Sequence, residues 1–147
     1  MSIVVAHQPS AVGRLAVLEA AYEAHIRLTS LLVIHVAEAV DVELVAQQTA
    51  SLREEITDVL HEADLASVAW TLQVTIGADT AEEILDLVPD DTELLVIGAR
   101  RRSPVGKMIT GSVTQTLILK ANQPVLVVKT PPRTVTKPAT STRPSVR

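Results

Sequence analysis

Five short apolar runs set the terms for this chain: SIVVAH (2–7), SLLVIHV (30–36), SVAWTLQV (67–74), ELLVIGA (93–99) and PVLVVK (124–129). Each has the length and β-branched content of a strand. Helical patterns separate them. Ala11, Leu15, Leu18, Tyr22 and Ile26 recur at helix spacing after Ser10, a good N-cap. A second stripe runs Val45, Thr49, Leu52, Ile56, Val59 and Ala63. Two capping boxes, Thr80-Ala-Glu-Glu83 and Ser112-Val-Thr-Gln115, predict a third helix and a fourth, the last stopping at Asn122 before Pro124. Strand and helix therefore alternate, which predicts an α/β domain: a three-layer sandwich with a five-stranded parallel sheet and helices on both faces.

The runs are not equivalent. SVAWTLQV alternates apolar Val68, Trp70, Leu72 and Val74 with Ala69, Thr71 and Gln73, as a half-exposed edge strand should. SIVVAH, SLLVIHV and ELLVIGA are apolar on both faces and belong in the middle. PVLVVK is apolar on both faces too, yet as the last strand it is expected at an edge. An uncovered apolar edge invites pairing, so a second copy of the chain is expected to cover it, making a homodimer through Val125, Leu126, Val127 and Val128.

Composition removes several function classes. The 147 residues suffice for one domain with a substantial core. There is no cysteine, so disulfides, thiolate metal sites and cysteine nucleophiles are excluded. Phe is absent and Trp70 and Tyr22 are the only aromatics, which leaves a base-stacking nucleic-acid binder without platforms. The start of the chain lacks a basic n-region, and no apolar stretch approaches the roughly 20 residues of a membrane span. A soluble cytoplasmic protein with no membrane partner is expected. Charge is sharply divided. Residues 1–99 hold three Lys and Arg against seventeen Asp and Glu, a balance of −14, whereas residues 100–147 hold ten basic residues and no acid. That polarity points either to an anionic partner at the C-terminal part or to surface ion pairing with a basic tail.

GARRRSPVGKMITGSVTQ (98–115) is the segment where charge and glycine meet. Gly98 ends a buried run, and Gly111-Ser112 opens a helical one. Ligands of open α/β sheets sit outside the carboxyl ends of strands, and helix N-termini offer free N–H groups to anions. The hydroxyls of Ser112 and Thr114 add donors, and Arg100, Arg101, Arg102 and Lys107 add charge. A plain strand-to-helix loop with solvated arginines fits the same spacing. It is not a P-loop, because Met108 follows Gly106-Lys107, and AHQPSAVG after the first run is not a G-x-G-x-x-G.

This run resembles the universal stress protein family, whose pattern is G-x-x-G-x9-G-[ST] leading to P-V-L-V-V. Gly98, Gly111, Ser112 and PVLVV (124–128) match, as does GADTAEEIL (77–85), and the likeness extends over residues 1–129. The resemblance implies strand order 3-2-1-4-5, dimerisation through the last strand in many members, and a glycine loop that holds ATP or AMP in those that bind nucleotide. Carried over by position, Gly98, Arg100, Gly111, Ser112, Val113 and Thr114 would line the phosphate and ribose site, with Ile97 and Val36 flanking the adenine. Arg101 stands where the pattern has its second glycine, and either crowds the close approach or contacts a phosphate. Gln8 stands where the family has an acid, and could hydrogen-bond adenine or ribose. A dimeric stress-response protein that binds an adenine nucleotide is therefore expected, the alternative being an interaction module of the same fold without nucleotide.

Other candidates carry less. His7 and His35 end neighbouring runs and could face one crevice, but two His without a third ligand make a poor metal site, so none is expected. His25 and His61 sit on helix patterns as surface residues. Asp90-Asp91 reads as a turn, and Glu54, Glu55, Asp58 and Glu62 as a solvated helix face. No Ser/His/Asp arrangement accompanies a nucleophile elbow, so an enzyme is not expected. Residues 130–147, rich in Pro and Thr with four basic residues, cannot bury enough apolar surface to offset their ordering entropy and read as a disordered basic tail. Removing residues 131–147 should leave the melting temperature nearly unchanged. A large fall in a thermal melt of the truncated chain would contradict this.

Overall fold

Each apolar run becomes one strand of a single parallel sheet in the computed structural model, which describes residues 1–38, 41–99 and 111–130. The order along the chain is β1 (Ser2–Ala6), α1 (Ala11–Ile26), β2 (Ser30–Ala37), α2 (Val42–Glu62), β3 (Trp70–Ile76), α3 (Thr80–Leu87), β4 (Thr92–Ala99), α4 (Ser112–Lys120) and β5 (Val125–Lys129). The sheet order is β3-β2-β1-β4-β5, as expected. Ala6, the last residue of β1, pairs with Ile34 on one side and Ile97 on the other, while β2 runs three residues further and β4 two.

Alternation along the strands divides the core in two. Ile3 and Val5 join Leu31, Val33 and Val96 beneath α1 and α2. Val4 and Ala6 join Ile34, Leu95 and Ile97 beneath α3 and α4, with Ala81, Ile84 and Leu117. Every fully buried Val, Leu or Ile contributes about 1.5–3 kcal/mol, so the three central strands carry most of the stabilisation. On β3, Trp70, Leu72 and Val74 are half-buried while Thr71 and Gln73 are exposed, the expected edge pattern. On β5 the four apolar residues are all half-buried: Leu126 and Val128 pack towards α1, and Val125 and Val127 towards α4.

Local details differ from the sequence reading in ways that have causes. The buried face of α1 is not the Leu15–Leu18–Tyr22–Ile26 line. It is Val12, Gly13, Ala16, Val17, Ala20, Ala21 and Ala24, while Tyr22 is 54% and Ile26 58% exposed. Small residues win that face because α1 lies close across the central strands. In α2 the buried residues are Leu52, Ile56 and Leu60 rather than the whole predicted stripe. β3 starts three residues later than predicted because hydrogen-bonded turns, from Leu65 N–H to Leu60 O and Val68 N–H to Leu65 O, use up the intervening residues. Asp64, at φ 59°, turns the chain just after the helix. Neither predicted capping box forms as drawn. Asp79 caps α3 by accepting from Glu82 N–H, and Gly111 is the N-cap of α4, which ends at Lys120. The tail assignment (131–147) lies outside the described residues.

Ser10 does cap α1, accepting from Gly13 N–H at 3.1 Å. The chain returns so tightly here that a β-carbon on Gly13 would stand 1.7 Å from the Gln8 carbonyl oxygen. Gly13→Ala gains about 1 kcal/mol of helix propensity. The clash outweighs it, so a net loss of about 1–3 kcal/mol is expected from the denaturant midpoint. An unchanged midpoint would mean that the loop yields freely.

Candidate functional site

The crest of the sheet gathers segments that are far apart in sequence. Gln8 lies in the turn just after β1 and Val36 near the end of β2, each two residues beyond the paired Ala6 and Ile34. Gly98 follows Ile97, the β4 partner of Ala6. The first turn of α4 returns to this end: Thr114, buried, donates its hydroxyl to the Gly98 carbonyl at 3.4 Å. Gln8, Val36, Ile97, Gly98, Gly111, Ser112, Val113 and Thr114 are thus placed around the ends of β1, β2 and β4. Arg100 and Arg101 lie outside the described residues.

Their roles separate on inspection. Ile97 is 1% exposed and belongs to the core beneath α4. Val36 and Val113 are half-buried against the same core, so what Val113 offers the crest is its backbone N–H. Gly98 serves packing first: a β-carbon there would lie 3.1 Å from the Val12 carbonyl oxygen and 3.2 Å from Val12 Cγ2. Gly111 is different. Its φ of −68° suits any residue, and no atom among the described residues lies within 4 Å of a β-carbon placed on it. Ser112 is exposed beside it, and no side chain among the described residues caps the helix. The first N–H groups of α4 therefore have no capping partner among the described residues, and a helix start left this way favours an anion.

On the other face of the same strand ends, His7 and His35 do meet, with Nδ1 atoms 3.2 Å apart and rings edge to face. Glu55, expected on a solvated face, is half-buried, with Oε2 3.7 Å from His7 Nε2. Its spacing gave a usable sign, since it lies three residues after Leu52 and four before Val59 on the packed side of α2. With Leu44, Gln47, Gln48, Ser51 and Leu52, these residues line a cleft of ≈ 330 Å³. Burial, then the neighbouring His35, bring His7 down to about 4, against the opposing pull of Glu55. Burial also lowers His35. No group of three or more His, Asp or Glu among the described residues could hold a metal ion. Nor is any described helix long and apolar enough to cross a membrane.

Fold and crest together define a doubly wound α/β domain with a helix start at the carboxyl ends of its central strands. The sequence profile of the Universal stress protein family matches residues 1–129, and the chain belongs to that family. A universal stress protein from Mycolicibacterium smegmatis is 41% identical over 128 residues, covering 86% of this chain and 96% of the relative. Among solved structures, the universal stress protein from Archaeoglobus fulgidus superposes with a TM-score of 0.72 at 30% identity, covering 88% of this chain and 98% of that one. The universal stress protein from Archaeoglobus fulgidus in complex with dAMP gives 0.68 at 24% identity, over 88% of this chain and 98% of the other.

Proposed function

We propose that this protein is a regulatory stress protein that binds an adenine nucleotide, ATP or AMP, at the crest, with its phosphates on the start of α4. One observation carries the reading: Gly111 leads a helix N-terminus with no capping side chain among the described residues, none of which has an atom within 4 Å of a β-carbon placed on it. A glycine that neither its φ nor any described neighbour requires suits the approach of a ligand's phosphates to the backbone. The dAMP complex of the Archaeoglobus fulgidus protein supports an adenine ligand. In this reading Ser112, Gly111, Val113 N–H and Arg100 contact phosphate. Thr114 and Gly98 hold the loop's end in place, and Gln8 and Val36 border the base. Ile97 supports the base from beneath. Binding rather than turnover is its task.

Charge-assisted bonds of this kind contribute roughly 1.5–3 kcal/mol each. Ser112→Ala should weaken ATP binding about tenfold, at about 1.4 kcal/mol per decade. Gly111→Val should abolish it by filling the open space. Arg101→Gly restores the family glycine: tighter binding assigns Arg101 as an obstruction, and weaker binding as a phosphate ligand. Calorimetry with ATP, ADP and AMP measures all of these. Absence of heat and of thermal stabilisation at millimolar nucleotide would defeat the reading and favour the interaction module.

The same protein is proposed to be a two-fold dimer through β5. Val125, Leu126, Val127 and Val128 stay half-buried on an edge strand that, among the described residues, has only β4 beside it. Replacing Val125 and Val127 together, or Leu126 and Val128 together, by Lys should give monomer or aggregate, because burying unpaired charge is costly. Wild type sedimenting as a monomer at micromolar concentration would overturn the dimer.

A further inference from the structure

Between α1 and α2 the helix layer leaves an apolar groove of ≈ 440 Å³, lined by Leu15 and Leu18 from α1 and by Val59 and Ala63 from the end of α2. The apolar line runs on along α1 through Tyr22 and Ile26, both more than half exposed. Large apolar side chains aligned beside an open groove mark an interaction surface, which single scattered ones do not. Arg14 and Glu62 are the charged residues of the lining.

Charge narrows what can occupy this groove. α1 and α2 carry seven Asp and Glu against two basic residues, Arg14 and Arg53, a balance of −5. Arg53 lies over the ring of Trp70, 5.8 Å from its centroid. α3 and α4 carry three acids against Lys120, a balance of −2, and Lys120 bonds Glu82 at 2.9 Å. The layer that holds the groove is therefore the more acidic one. Residues 131–147 have the opposite character, with four basic residues and no acid.

We propose that the groove between α1 and α2 is the docking site of this chain's own C-terminal segment, residues 131–147. Its point of departure suits the site. β5 ends at Lys129, beside Ala99 at the crest end of β4, and α1 starts at that end and packs over Leu126 and Val128. The groove lies across α1, a helix about 10–12 Å wide. At about 3.3 Å per residue, a segment of this length spans up to roughly 55 Å. Its side chains suit the site too. Pro132, Val135 and Pro138 recur at the three-residue spacing that puts side chains on one face of an extended proline-rich segment, with Arg133 and Lys137 off that face. The apolar face matches Leu15, Leu18 and Val59, and the cations match Glu62 and Asp58, one turn apart on α2. Proline fixes φ, which reduces the freedom lost on docking. Alone, the segment has too little apolar surface to order itself, and the groove supplies the rest. Exposed ion pairs add little stability, so the docking shows itself in position and leaves the melting temperature nearly unchanged.

The chain has no cysteine, so a nitroxide attached to Ser141→Cys of the full chain reports from one place. At low salt, amide signals of residues 11–22 and 55–63 should lose more than half their intensity, while those of α3 and α4 keep theirs. Salt at about 0.5 M, which shortens the screening length to about 4 Å, should restore them. Asp58→Lys with Glu62→Lys should restore them at low salt as well, and both residues are exposed, so the fold does not rest on them. Spin-labelled chain mixed with isotope-enriched, unlabelled chain should leave the enriched signals unchanged, which excludes a segment from a second copy. Broadening that is absent, spread evenly, centred on α3 and α4, indifferent to salt or to the two lysines, or equal in the mixed sample would overturn the proposal.

Discussion

β1 is the constraint on which the rest depends. It is five residues long, and Ile3, Val4 and Val5 are fully buried because helices cover both faces of the sheet. Strands paired on both sides and packed on both faces have no freedom to slip, since a one-residue shift would move each side chain into the other layer. That fixed register carries three chain segments, at Gln8, Val36 and Gly98, to a common crest. A functional arrangement built from residues so distant in sequence needs such a rigid reference, because conformational entropy would otherwise disperse it.

The two layers use this reference differently. Beneath α1, close approach is bought with alanines and two glycines, Gly13 against the Gln8 carbonyl and Gly98 against Val12. The backbone before and after the crest is therefore held by packing. Beneath α4, the contact is sparser: Leu117 and Thr114 are its buried residues, and Thr114 ties the first turn to Gly98. The crest thus joins a stiff side to a side whose helix start has no capping side chain among the described residues.

Fold class and edge assignment were legible because they rest on periodicity and on strands apolar on both faces, both of which are local features, whereas the full strand order was implied by the family resemblance. The loop glycines were legible as a motif, but their reasons were not. Gly98 and Gly111 look alike in sequence, yet one is required by Val12 and the other by nothing among the described residues. The face of α1 was misread because size was taken as the sign of burial. Close helix-to-sheet packing selects alanine instead, and the large residues Tyr22 and Ile26 fall outside it. Glu55 was misread because a carboxylate among other acids reads as solvated until tertiary structure sets a histidine opposite it. Caps shifted by one residue because Asp79 and Gly111, just before the predicted starts, take the non-helical cap conformation themselves.

The charge division of the chain acquires a spatial meaning on this frame. Glu55 of α2 lies against one face of the strand ends, and the N-terminus of α4 lies over the other, with the sheet between them. An anion at the crest meets the positive end of a helix dipole, whose influence is confined to the first turn, while water and salt screen more distant acids over about 8 Å at physiological ionic strength. A net charge of −4 is therefore no obstacle to binding an anion at that place. The imidazoles stand immediately before Gln8 and Val36 in the chain. Gly13, pressed against the Gln8 carbonyl from the side of α1, holds that corner of the crest in place.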